Sequence, residues 1–239
     1  MQQKANSPLL FIHGFRGDSS GLKEIISNLP EYQCLAPDLP PTNHQTLKQY
    51  SAQNYAQWVA DYITSNHLDH PILIGHSMGS IIAAATAEKF PNLINEKIIL
   101  LSPISVKPNR FFAAITPLLS ILYKSLIDYA VTRYLFVPKN PKLFKQTLKA
   151  TSVGSAKYHD LSQLAQAAKF SVHHSVADFN FDSTTYFVAG KKDKICSNKK
   201  TKLLAKKLNA KSVFLPNSGH LINYECPELV AKHIKKFLS

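Results

Sequence analysis

The sequence predicts an α/β fold in which a mostly parallel sheet of about six strands carries helices on both faces. Three observations lead there. Short, continuous apolar runs suited to strands buried on two faces alternate with segments whose apolar residues recur at helical spacing, and alternation of this kind implies right-handed βαβ crossovers. The stretch Pro71–Ala85 reads as a strand, a turn pinched between Gly75 and Gly79, and an Ala-rich helix. A strandless interval, 104–180, separates 1–103 from 181–239, which is the pattern of one core interrupted by a helical insertion.

In chain order, Pro8–Ile12 is the first strand and ends in His13-Gly14-Phe15-Arg16-Gly17, whose glycines mark a turn. Ser19 or Ser20 is expected to cap a helix to about Asn28. Tyr32–Ala36 is the second strand, closed by Pro37-Asp38-Leu39-Pro40-Pro41. Tyr55, Val59, Tyr62 and Ile63 place a helix over about 50–66. The third strand and its helix follow, the helix running to Phe90 before Pro91. Glu96–Leu101 is the fourth strand and stops at Ser102-Pro103. The insertion is apolar and helix-prone from Arg110 to Phe136, breaks at Pro138-Lys139-Asn140-Pro141, and turns helical again around Leu143 and Leu161. It is expected to sit as a lid over the carboxyl edge of the sheet. Thr184–Ala189 is the fifth strand and leads into Gly190-Lys191-Lys192-Asp193. A helix over about Asn198–Leu208, a strand over Ser212–Leu215, the turn Ser218-Gly219-His220 and a helix over about Glu228–Leu238 complete the chain.

Ligands of open α/β sheets bind beyond the carboxyl ends of the strands. Ser77 follows the third strand, Asp193 the fifth, His220 the sixth, and His13-Gly14-Phe15 the first. A serine hydroxyl is a weak nucleophile; it needs an imidazole to take its proton and a carboxylate to fix that imidazole's tautomer. A sharp strand-to-helix turn presents the hydroxyl, strains the serine backbone, and brings segments so close that glycine is required at both flanks. The rival carboxylates Asp178 and Asp182 precede the fifth strand, and none follows the fourth at Ser102-Pro103-Ile104, which favours Asp193. His13 is expected to organise its loop by hydrogen bonding. His76 is read as a packed residue beside the serine or a substrate contact. Arg16 is either a binder of a substrate carboxylate or a surface arginine. His173-His174 has no matching ligand pair, so neither a metal nor another cofactor is called for.

The bulk composition excludes several classes. At 45% hydrophobic and 18% charged, the chain is an ordinary globular domain and not a disordered one. Its longest apolar run, Phe111–Tyr123, contains Pro117 and is too short to span a bilayer. No signal peptide is expected, and three scattered cysteines give no disulfide framework, which points to the cytoplasm. The net charge of +13 comes almost wholly from lysine, with only Arg16, Arg110 and Arg133 as arginines. Phosphate recognition favours arginine interleaved with aromatics, so specific nucleic-acid binding is not expected. Weak association with anionic surfaces is the most this charge implies, and a monomer or homodimer is expected.

On His13-Gly14, Gly75-His76-Ser77-Met78-Gly79, Gly190-x-x-Asp193 and Ser218-Gly219-His220, the chain resembles the α/β-hydrolase fold superfamily, in its small, lidded esterase-like form. The resemblance covers the chain outside the insertion. It implies that Ser77 is nucleophile, His220 base and acid, and Asp193 the orienting carboxylate, with the backbone N–H groups of Phe15 and Met78 as oxyanion hole. Two leading antiparallel strands of the family are expected to be missing. Where relatives carry D-x-P-G-H-G, this chain has Asp38-Leu39-Pro40-Pro41-Thr42-Asn43-His44, and Ser80 replaces a common glycine. The implied activity is a carboxylesterase acting on a small-molecule ester or thioester with a hydrophobic acyl or alcohol group. A thioesterase, a lipase or monoacylglycerol-type hydrolase and a carbon–carbon-bond hydrolase are the enzymatic alternatives, and a hydrolase-like small-ligand receptor is the non-enzymatic one.

Overall fold

The computed structural model describes residues 7–107, 124–138, 140–157 and 160–239. Six parallel strands form one sheet: β1 (Leu9–Ile12), β2 (Cys34–Leu35), β3 (Ile72–His76), β4 (Lys97–Leu101), β5 (Thr184–Gly190) and β6 (Lys211–Leu215). Their spatial order is β2-β1-β3-β4-β5-β6, so the order reverses beside β1 and puts β3 near the centre. The helices are α1 (Lys23–Ser27), α2 (Ala52–Ser65), α3 (Met78–Lys89), α4 (Lys124–Leu135), α5 (Pro141–Ala156), α6 (Leu161–His173), α7 (Asn198–Lys207), α8 (Ile222–Glu225) and α9 (Pro227–Leu238).

Period-two alternation sends each strand's residues to two cores. Leu10, Ile12, Leu73, Ile98, Leu100 and Phe187 pack with α2, α3, α6 and α7 on one face. Leu9, Phe11, Ile72, Ile74, Ile99, Leu101 and Val188 pack with α1, α8 and α9 on the other. Burial on both faces is why these strands read as unbroken apolar runs; each fully buried Leu, Ile or Phe contributes roughly 1.5–3 kcal/mol. Met78–Ala87 of α3 is buried on every side, which explains its small, apolar composition.

The boundaries differ from the sequence reading where local capping decides them. Asp18, and not Ser19 or Ser20, caps the first helical turn by accepting from Ser20 N (3.0 Å), and that turn is a 3-10 turn before α1. The second strand shrinks to two residues, because only Leu9 and Leu10 of β1 pair with it. Ser51 caps α2 by accepting from Asn54 N (3.2 Å). The short α8 had no periodic signal in the sequence. Of the apolar segment expected to be helical from Arg110, residues 110–123 lie outside the described residues, and the remainder is α4.

Two glycines set how closely β3 and α3 approach their neighbours. A Cβ on Gly79 would strike the Ile12 carbonyl oxygen and come within 2.8 Å of the His13 carbonyl oxygen. A Cβ on Gly75 would come within 2.6 Å of the Gly79 carbonyl carbon. These are backbone atoms of β1, the loop after it and α3, and cannot rotate away. Gly79→Ala is therefore expected to destabilise the fold by about 3 kcal/mol through overpacking, read as a lower urea midpoint at unchanged slope. An unchanged midpoint would contradict this account.

Candidate active site

The sharp turn from β3 into α3 holds Ser77 at φ 53°, ψ −118°, outside the regions that L-residues ordinarily occupy. The surrounding ladder keeps it there: Ser77 N donates to Leu101 O at 3.0 Å, continuing the β3–β4 pairing. The Ser80 hydroxyl donates to the Ser77 carbonyl and accepts from Ile104 N (3.1 Å). Ser80, where relatives commonly carry glycine, thus ties the turn to the segment after β4.

Ser77 Oγ lies 2.8 Å from His220 Nε2, and His220 Nδ1 lies 2.9 Å from Asp193 Oδ2. Three residues from three strand ends are brought into one line. The His220 and Asp193 side chains are almost fully buried, at 5% and 1% exposure, so their attraction is little screened by water. Burial by itself would raise the Asp193 pKa. The charge and hydrogen bond of His220, together with the Ile195 and Cys196 amides, outweigh it and hold the pKa below its usual value. Asp193 Oδ1 accepts those two amides at 2.7 and 3.0 Å, which fixes the carboxylate plane. An imidazole so oriented can take a proton from the serine, and the carboxylate can stabilise the resulting charge.

The His13–Arg16 loop crosses directly above the serine. A Cβ on Gly14 would sit 3.1 Å from Ser77 Cβ and 3.3 Å from His76 Nδ1, so this position has little room for a side chain. His13 Nε2 accepts from Leu39 N (2.9 Å), and its Nδ1 donates to the Gly14 carbonyl (2.9 Å). Accepting at Nε2 while donating at Nδ1 requires the neutral ring, and burial lowers the His13 pKa in that direction. Phe15 follows, half-buried against the core on the α2–α3 side. Met78 opens α3, where the first backbone N–H groups have no partner within the helix.

His76 is fully inside the structure. Its Nε2 donates to the His220 carbonyl (3.1 Å), and the two rings lie 5.7 Å apart. Burial, with the neighbouring His220 second, pushes its pKa down to about 3. Between the ordinary 6.5 and about 3, the unfolded chain takes up a proton at this residue that the folded chain does not. Stability therefore falls as pH drops through that window. Thermal melts between pH 7 and pH 5 are expected to show a falling midpoint, and His76→Gln should flatten the slope.

Arg16 is 9% exposed, at φ 60°, and neither lies on the surface nor faces open solvent. Its Nε is 3.1 Å from Asp128 Oδ1 on α4, and Nη2 reaches the same oxygen. Lys157, just after α5, bridges Asp18 (2.7 Å) and Asp38 (2.6 Å), carboxylates on the loops after β1 and β2. Burial opposes its charge, but the two carboxylates outweigh that and raise its pKa. Glu225 of α8 accepts from Gly219 N, beside His220, and from Val137 N (2.9 Å), beyond α4. Burial raises its pKa, against the pull of those amides and of His220. Asp128, Lys157 and Glu225 escaped the sequence reading because each pairs across a long separation that no spacing rule encodes.

With this geometry described, comparison with known proteins places the chain. A profile described as the Alpha/beta hydrolase family matches residues 9–233. A Bacillus subtilis protein, "Uncharacterized hydrolase YugF", is 24% identical over 99% of this chain and 92% of its own length. A Haemophilus influenzae protein, "Putative esterase/lipase", is 28% identical over 100% of this chain and 86% of its own. The solved structure of a thermophilic esterase from Thermogutta terrifontis superposes with a TM-score of 0.83 at 19% identity, covering 98% of this chain and 90% of that one, a likeness of fold. The profile spans every strand and all three strand-end residues of the site: this chain belongs to the alpha/beta hydrolase family.

Proposed function

We propose that the protein is a serine hydrolase of the carboxylesterase kind, cleaving small-molecule esters with a hydrophobic acyl or alcohol group. The observation that carries this reading is the continuous hydrogen-bonded line from Ser77 through His220 to Asp193 behind a strained turn. Ser77 Oγ attacks the carbonyl carbon while His220 Nε2 takes its proton. The Phe15 and Met78 N–H groups hold the oxyanion. His220 then gives the proton to the leaving alcohol, and the C–O bond breaks to leave an acyl-serine. Water attacks that ester, with His220 again as base, and releases the acid and free Ser77.

The inserted segment, 104–180, acts in this reading as a helical lid on a core of 1–103 and 181–239. Its described part reaches the site loops through Asp128, Val137 and Lys157. The pairing of Arg16 with Asp128 commits that guanidinium to the fold, which favours an uncharged acyl group over a substrate carboxylate. A thioester is open to the same attack. The three free cysteines fit a reducing compartment such as the cytoplasm.

The test is hydrolysis of nitrophenyl esters from acetyl to palmitoyl, with fluorophosphonate labelling of Ser77. A rate maximum at one chain length, with labelling, supports the reading. Labelling without turnover would move the substrate to thioesters. The absence of both labelling and turnover would sink the nucleophile assignment and leave a ligand-binding relative.

A further inference from the structure

A carboxylate has two oxygens with about four lone-pair sites, and one withdrawn from water persists only when those oxygens find donors. Glu225, half-buried at the end of α8, spends one oxygen on each of two backbone amides from separate parts of the chain. Oε2 accepts from Gly219 N, the residue immediately before His220, in a short hydrogen bond. Oε1 accepts from Val137 N at 2.9 Å, two residues beyond α4. The two segments run at backbone distance here. A Cβ on Gly219 would come 2.5 Å from the Leu135 carbonyl oxygen and 2.8 Å from Val137 Cγ2. One side chain thus ties the histidine loop to the inserted helices.

Besides its bond to Ser77, His220 and the residue before it are held by Asp193, His76 and Glu225. Asp193 holds the ring through Nδ1, His76 holds the His220 carbonyl, and Glu225 holds the amide just ahead of it. The last two fix the backbone on either side of the ring. Lys192 N holds the Ser218 carbonyl (2.8 Å) farther back, so these two bonds are the ones nearest the ring that set its 2.8 Å contact to Ser77 Oγ, and displacement by about 1 Å costs roughly 100-fold in rate.

We infer that Glu225 is a positioning residue for His220, and that through Val137 it makes the placement of the ring depend on the seating of the inserted helices. The inference rests on the Ser77–His220–Asp193 reading. It differs from a purely structural role because the predicted loss falls on the ring and not on the fold.

Glu225→Gln tests it. Glutamine presents one acceptor oxygen, so its amino group meets the second amide donor to donor. Nitrophenyl ester hydrolysis is expected to fall about 10- to 100-fold in kcat, the range typical of an outer-shell orienting group, with KM within about twofold. A downfield Nδ1–H proton resonance of His220 is expected in the wild type from its bond to Asp193, and it is expected to broaden or vanish in the variant. Amide hydrogen exchange in 124–138 is expected to quicken while the melting temperature shifts by a few degrees. An unchanged Nδ1–H resonance with kcat within about twofold of wild type would overturn the inference, as would a rate loss that only tracks the unfolded fraction. A wild type that shows the resonance but neither hydrolyses esters nor takes up fluorophosphonate would defeat the hydrolase reading alone, and the variant's resonance would still decide the role of Glu225. A wild type without the resonance would defeat the inference directly.

Discussion

Ser77→Ala is expected to lower kcat for any hydrolysable ester by on the order of 100,000-fold or more, leaving only the acceleration that oxyanion donors and binding supply. In the proposed mechanism the effect is large because the Ser77 hydroxyl is the group that forms the acyl-enzyme. His220, without it, has nothing to activate at the turn. The fold should survive, since Ser77 N remains bonded to Leu101 O and the flanking glycines are untouched. Ester binding, measured as competitive inhibition by a non-hydrolysable ketone analogue, should change little, and fluorophosphonate labelling should be lost. Residual turnover within about tenfold of wild type would mean that another group carries the attack.

The next largest effect is expected at Asp193. Asp193→Asn should lower kcat by about 10,000-fold, by the tautomer argument known for such triads, and here the direction follows from the bonds. Oδ1 accepts two amides, from Ile195 and Cys196, so the asparagine oxygen must stay on that side. The amino group then faces His220 Nδ1 and forces that nitrogen to be the acceptor. The ring proton moves to Nε2, which points at Ser77 Oγ, and the base is gone. Crystallography of the variant should show the ring in place with Ser77 unmoved. The same substitution changes acid stability. The Asp193 pKa is lowered in the fold, so its ionisation stabilises above the ordinary 3.8 and that contribution is lost as pH falls through the folded value. The variant should lack this part of the acid limb in urea unfolding. A variant with near-normal kcat would place the orienting carboxylate elsewhere.

Much of the frame is legible without a structure because its causes are local. A strand buried on two faces must be apolar throughout, so β1, β3, β4 and β5 announce themselves as runs. The serine turn is legible for the same reason. Gly75 and Gly79 are where backbone meets backbone, and no other residue type fits. β2 is read least well, because this edge strand ends where its pairing with Leu9 and Leu10 ends and not where its own composition changes. That Ser77, Asp193 and His220 share one edge of the sheet follows from parallel topology: each stands past a strand end, and parallel strands put all those ends on one side.

What local pattern leaves open is partnership across the chain. Arg16 has two sequence readings, a substrate contact or a surface residue; the structure removes the second by burying it against Asp128, 112 residues away. His76 reads as packing, yet its bond to the His220 carbonyl joins residues 144 apart. Glu225 and Val137 carry no periodicity or spacing that would connect them. By itself the sequence determined the fold family, the sheet and the residue types at its carboxyl edge, because periodicity, steric exclusion at glycine and strand ends act over a few residues. Only the tertiary structure decided which charges neutralise one another, which histidine is held neutral by burial, and which side chain braces the His220 loop, because those outcomes depend on desolvation and distances that exist only once the chain has closed on itself.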